Sequence, residues 1–164
     1  MEQGMQDQHI SSGMTRSHYR MLGLNLVVRF IIMYFVMFMM IWSFEDFFNN
    51  LNMFYMALMM AMPMGILMLL MMGMMYPNKK LNLLLYGLFA LLFILAFWAM
   101  RAQGLVGDRQ FVRAMIPHHS GAILMCNRAS ISDPEIRDLC FKPNGIVDSQ
   151  TREIAQMKAF LERQ

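Results

Sequence analysis

Residues 51–76 read LNMFYMALMMAMPMGILMLLMMGMMY, a run that contains no charged side chain. A helix needs about 20 apolar residues to cross the hydrocarbon core of a bilayer, and this run is long enough. Two neighbours share its character. Residues 81–100 carry no charge, and residues 22–42 carry one, Arg29. Backbone amides cannot be left unpaired in lipid, so runs of this kind must be helices. The pattern predicts three transmembrane helices, at 22–42, 51–76 and 81–100, after an N-terminal tail (1–21) and before a C-terminal segment (101–164). Pro63 falls mid-span, where a kink is tolerated if neighbouring groups satisfy the freed carbonyl. Composition agrees: hydrophobic residues are 57% and charged residues 15% of the chain, against about 25% charged in ordinary soluble domains.

The first run is too long for a signal-peptide core and no small-residue cleavage site follows it, so it is expected to stay in the mature chain. The short link Pro77-Asn78-Lys79-Lys80 makes the second and third spans antiparallel neighbours. Orientation is read from basic residues near the spans. Arg16, Arg20, Lys79 and Lys80 favour a cytoplasmic N-terminus, and the first link (43–50) carries Glu45 and Asp46 but no Lys or Arg. Arg101, Arg109 and Arg113 pull the other way. The expected arrangement has the N-terminus in the cytoplasm and the C-terminal segment outside. The net charge of +3 is spread over these anchors, with no basic patch suited to nucleic acid. Arg29, two turns into its span, is read as snorkelling to the interface.

The C-terminal segment has 64 residues, nine of them Lys or Arg and seven Asp or Glu. Segments below about 70–80 residues usually need a metal, a disulfide or a partner to hold a fold. Its punctuation predicts three helices. One follows Gly107 with Asp108 as its cap and is kinked at Pro117. The second starts at Ser132-Asp133-Pro134-Glu135 and ends near Cys140. Phe141-Lys142-Pro143-Asn144-Gly145 breaks the chain, and the last helix runs over 146–161.

The first of these helices reads DRQFVRAMIPHHSGAILM over 108–125, followed by Cys126. At about 100° per residue Met115, His119 and Cys126 fall within about 40° of one another, flanked by His118 and Met125. Thioether, imidazole and thiolate are soft or borderline donors of the kind that take Cu(I) or Ag(I). Met157, on one face of the last helix with Gln150, would meet this stripe if the two helices pack antiparallel. Cys126 and Cys140 can be read either as thiolate ligands or as a disulfide. Glu153 is read as a solvated or salt-bridged helix residue, with a supporting role behind His118 or His119 as the alternative.

The pattern Phe111-x-x-x-Met115-x-x-His118-His119-x-x-Ala122-Ile123-x-Met125, followed by Asp133-x-Glu135, Leu139-Cys140, Gln150-x-x-Glu153-Ile154-x-x-Met157 and Leu161, resembles the domain-of-unknown-function 305 family. Met75-Tyr76-Pro77-Asn78-Lys79-Lys80 looks like its membrane-anchored subgroup. The resemblance implies a ferritin-like helical bundle in the bacterial envelope that binds Cu(I) or Ag(I) in metal tolerance. By motif the ligand set falls on Met115, His118, His119, Met125 and Met157. Phe141-Lys142-Pro143-Asn144 departs from the pattern, because it interrupts a helix that otherwise continues.

Methionine is abundant: 23 residues, eleven of them between Met53 and Met75. Met53, Met56, Met60, Met64, Met68, Met71 and Met75 step along one helical face, and Met33, Met37 and Met40 repeat the pattern on the first span. A thioether ladder that conducts Cu(I) is one reading. Packing by a flexible apolar side chain is the simpler one. Met5, His9, Met14 and His18 give the tail a metal-seeking look of the kind that arises by chance.

Together these features lead to the expectation of an all-α, multi-pass bacterial inner-membrane protein. Its C-terminal domain, periplasmic and tethered, captures Cu(I) or Ag(I) without being an enzyme. Membrane lipid, a second copy of the chain, and metal-export or periplasmic copper proteins are the partners this implies. A Met-lined transporter subunit, a metal oxidase and a metal-free structural subunit are the alternatives. No nucleophile–base pair or phosphate-binding loop is present to suggest other chemistry.

Overall fold

A computed structural model describes the backbone of residues 2–163 and the side chains of residues 17–163. The described chain is helical, with no strand. Six α-helices follow in order: α1 (Glu2–Val36), α2 (Leu51–Met71), α3 (Lys79–Arg101), α4 (Asp108–Arg128), α5 (Pro134–Phe141) and α6 (Ile146–Glu162). Short 3-10 turns lie at Met37–Met40, Phe44–Asp46 and Gly73–Met75. The three apolar stretches long enough to span a bilayer are Ser17–Met40, Leu51–Met71 and Lys79–Arg101. The first helix therefore begins well before residue 22. The second ends at Met71, where Gly73–Met75 tightens into a 3-10 turn.

The chain forms two compact units. The first comprises Met1–Tyr34 and Tyr55–Ala102. Its core joins Leu22 and Leu26 of α1, Ala61, Met62 and Leu69 of α2, and Phe89 of α3, with Tyr76. Helices in lipid approach most closely where side chains are small, and the buried side of α2 carries Ala57, Ala61 and Gly65. A Cβ on Gly65 would stand 2.8 Å from the Phe89 ring and 3.1 Å from Leu26. The methionine ladder is turned differently. Met60, Met71 and Met75 are exposed and Met53, Met56, Met64 and Met68 only partly buried. At one end of the unit the Tyr19 hydroxyl donates to Asn82 Oδ1 (2.6 Å), and Asn82 Nδ2 donates to the Tyr76 carbonyl (2.8 Å). His18 Nδ1 lies 3.2 Å from the Met75 carbonyl, so this tail histidine is bonded to backbone. The side chains of Met5, His9 and Met14 lie outside the described residues.

The second unit comprises Phe35–Phe54 and Gln103–Gln164. The link between the first two spans thus packs with the C-terminal helices, a partnership that its composition does not announce. Local signals fix the helix starts. Asp133 caps α5, its carboxylate accepting from Glu135 N (2.9 Å) and Ile136 N (3.1 Å), with Pro134 at the first position. At α4 the cap is Gly107 rather than the expected Asp108, which instead occupies the first turn, where an acid complements the helix dipole. The helix continues through Pro117, which is buried. Asn144 takes a left-handed φ of 62° before α6, the conformation that the Asn-Gly pair tolerates.

Candidate functional site

Helices α4 and α6 make the heart of the second unit, packing Ile116 and Ile123 against Ile154, with Val112, Val147, Met157 and Leu161 around them. Arg109 and Arg113 share a cleft with Leu161 and Glu162, whereas Ile123 and Asn127 share one with Val147 and Thr151. The two helices therefore run antiparallel, as the stripe of donors requires. Met157 does approach α4, but it does so as part of the isoleucine core.

The paired histidines have different fates. His119 is buried, 8% exposed. Its Nδ1 lies 2.9 Å from the Met115 carbonyl and its Nε2 2.7 Å from Glu153 Oε2. A carbonyl only accepts, so Nδ1 carries the hydrogen, and the remaining nitrogen faces the carboxylate. Both ring nitrogens of His119 are thus engaged, and Glu153 is the partner of the second. His118 projects into solvent. The two rings are tilted by 62° with centroids 6.3 Å apart, as adjacent positions about 100° apart on a helix dictate. Among the described residues no hydrogen bond occupies the His118 nitrogens, so this is the imidazole with a lone pair to give.

The sulfur donors divide in the same way. Met115, partly buried, precedes His118 by three residues, the spacing at which helical side chains meet. Met125 is 52% exposed and lies two turns further along nearly the same face as His118. Cys126 and Cys140 are joined as a disulfide, with Cα atoms 5.7 Å apart. The open choice between ligand pair and disulfide is resolved in favour of the disulfide, which ties α4 to α5. Among the described residues, no group of three or more His, Cys, Asp or Glu side chains is disposed around a point where a metal ion could sit. What remains available to a soft ion is Met115, His118 and Met125. His119, Met157, Cys126 and Cys140 are engaged in holding the fold.

A second constellation was not foreseen. Asp46, 4% exposed, and Ser120, 0% exposed, are both buried. The Trp42 amide donates to Ser120 Oγ (2.7 Å), and that hydroxyl donates to Asp46 Oδ2 (2.5 Å). Lys158 Nζ of α6 stands 2.7 Å from Asp46 Oδ1 and 3.9 Å from Glu45. Gly121 lets the loop come close, since a Cβ there would meet the Met40 carbonyl at 3.3 Å. Arg128 lies over the Trp42 ring at 5.8 Å, within the range of a cation–π contact. A buried carboxylate with a hydroxyl and an ammonium on its two oxygens is a satisfied one. It fastens Phe35–Phe54 onto α4 and α6. The one signal for it in the chain is the pair of small residues, Ser120-Gly121, that follows the histidines.

Comparison with known proteins adds two findings. An uncharacterized protein of Acanthamoeba polyphaga mimivirus, L153, is 33% identical over 117 residues, covering 69% of this chain and 72% of that protein. No solved structure matches the chain. Residues 98–161, which hold all of α4, α5 and nearly all of α6, match the family described as Domain of unknown function (DUF305), and the chain belongs to that family.

Proposed function

We propose that this protein is a membrane-anchored binding protein that captures Cu(I) or Ag(I) on α4 and contributes to tolerance of these ions. The observation that carries the reading is the free His118 imidazole, one helical turn from the Met115 thioether and on the same face as Met125. Imidazole and thioether together select soft monovalent ions over Mg²⁺ or Ca²⁺, which prefer oxygen. The metal is cargo here, and no reaction is assigned to it. His119 and Glu153 act as a brace that orients the helix turn carrying His118.

Location follows the same reading. Phe35–Phe54 and Gln103–Gln164 pack as one unit, which supports assigning both to the same side of the bilayer. The disulfide Cys126–Cys140 favours an oxidising compartment for that side. This supports a periplasmic C-terminal unit, a cytoplasmic N-terminus and a bacterial inner membrane. A second copy of the chain, or an exporter or periplasmic copper protein that accepts the ion, completes the scheme.

The test is a calorimetric titration of the purified full chain with Ag(I), and with Cu(I) under reductant-free anaerobic conditions. His118→Ala is expected to weaken binding by at least about 10-fold, since losing even a partner that merely supports a metal ligand costs that much. Met115→Leu should weaken it less, and His119→Ala should act mainly on stability. Equal affinity in wild type, His118→Ala and Met115→Leu would remove the site from α4.

A further inference from the structure

Arg113 takes no part in the metal site on α4. Its Nε is buried and has no hydrogen-bond partner, and its guanidinium makes no ion pair among the described residues. A guanidinium carries a permanent charge and five donors in a planar fork. Burying one of its donors without an acceptor is costly, and such groups in folded proteins signal an absent water or ion. Arg109, one turn earlier on α4, is likewise without an acid within ion-pair distance among the described residues.

The two arginines line a cleft of about 420 Å³ with Phe48, Leu161, Lys158, Glu45 and Glu162. Its charged side chains are unevenly paired. Lys158 is taken by Asp46 at 2.7 Å, with Glu45 at 3.9 Å. With Asp46 counted, three cations (Arg109, Arg113, Lys158) face three carboxylates (Asp46, Glu45, Glu162), so the cleft is balanced overall; what sets it apart is that neither arginine has an acid within ion-pair distance among the described residues. Phe48 and Leu161 give the cleft an apolar wall. Arg113 also lines a second cavity, of about 270 Å³, together with Asn49, Asn50, Leu51, Phe54 and Gln110. Leu51 and Phe54 belong to the first turn of α2, one of the apolar spans. Arg113 therefore stands beside the point where a span begins, the level at which a bilayer presents its head groups.

We infer that Arg113, assisted by Arg109, binds the phosphodiester of a phospholipid head group, with the lipid's apolar portion continuing past Leu51 and Phe54. The planar fork matches two phosphate oxygens, and a phosphodiester would give the two unpaired guanidiniums the anion that no described side chain supplies. The ligand is thus a membrane lipid recognised through its phosphate, on a site separate from His118 and independent of any metal.

Native mass spectrometry of the full chain, purified in non-ionic detergent with added phosphatidylglycerol or diacylglycerol, tests this. Wild type is expected to retain phosphatidylglycerol and not diacylglycerol. Arg113→Gln and Arg109→Gln should each lower retention by about 5-fold, the effect of one basic residue at a lipid surface. Arg113→Lys, which keeps the charge but loses the fork, should fall between. Amide exchange over α4 checks that each variant stays folded; if Arg113→Gln does not, the more exposed Arg109→Gln and the conservative Arg113→Lys decide. Undiminished retention in these variants overturns the inference. So does a site that takes inorganic phosphate, seen as an Arg113-dependent rise in melting temperature, while retaining no phosphatidylglycerol.

Discussion

The two units of this chain hold themselves together by opposite means. In the first, helices meet through absence: Ala57, Ala61 and Gly65 are small and buried, and Phe89 fills the space that Gly65 leaves. In the second, they meet through specific attachment: a buried carboxylate, a disulfide and a histidine–glutamate bridge. The difference follows from the surroundings. Lipid offers apolar groups no reason to leave it, so only close packing rewards association there. In water, a unit as small as the second buries too little apolar surface and needs covalent and polar staples. Each unit should therefore fail in its own way.

The sharpest break is expected at Asp46. Asp46→Ala leaves Ser120 and Lys158 without their buried partner, and removing one member of a buried pair costs about 3–5 kcal/mol. Lys158 keeps 28% of its side-chain surface, which places this variant at the lower end. Amide exchange should accelerate across α4 and α6 and stay unchanged in α3. Equal protection in wild type and variant would mean that the loop is not fastened by this residue.

Next comes the disulfide, whose cysteines are 14 residues apart. Closing a loop of that size contributes about 3 kcal/mol. Cys126→Ser with Cys140→Ser should lower the denaturant midpoint of the second unit. Reductant should do the same to the wild type and nothing to the variant.

The smallest effects sharpen the contrast inside the first unit. Gly65→Leu pushes a side chain into the Phe89 ring and should cost about 1–3 kcal/mol by overpacking. Met60→Leu, a change of similar volume on an exposed face, should cost less than about 0.5 kcal/mol. The two are compared by unfolding in detergent. If Met60→Leu proves the more damaging, the methionine face is the packed one after all.

Much of this architecture was legible from local pattern. Charge-free runs announce the spans because the bilayer imposes length and composition on each helix separately. Asp133-Pro134 and Asn144-Gly145 mark helix boundaries because caps and turns are decided by neighbouring residues. The candidate site was legible only in its list of donors. Helical periodicity places His118 and His119 side by side, but only tertiary packing decides which of them Glu153 claims. In the sequence Asp46 bears only on orientation, and Ser120 and Gly121 are the two unspecified positions of the motif between His119 and Ala122. Their pairing joins residues 74 apart, a distance over which periodicity carries no information.

The fastening of Phe35–Phe54 has a practical corollary for making a soluble version. A fragment cut at the end of α3 would lose Asp46, Trp42 and Phe48 together, exposing Ile116 and stranding an ammonium and a hydroxyl on the surface they used to share. A workable truncation would splice the stretch 35–54 back through a flexible tether, trading two membrane helices for a few glycines and serines.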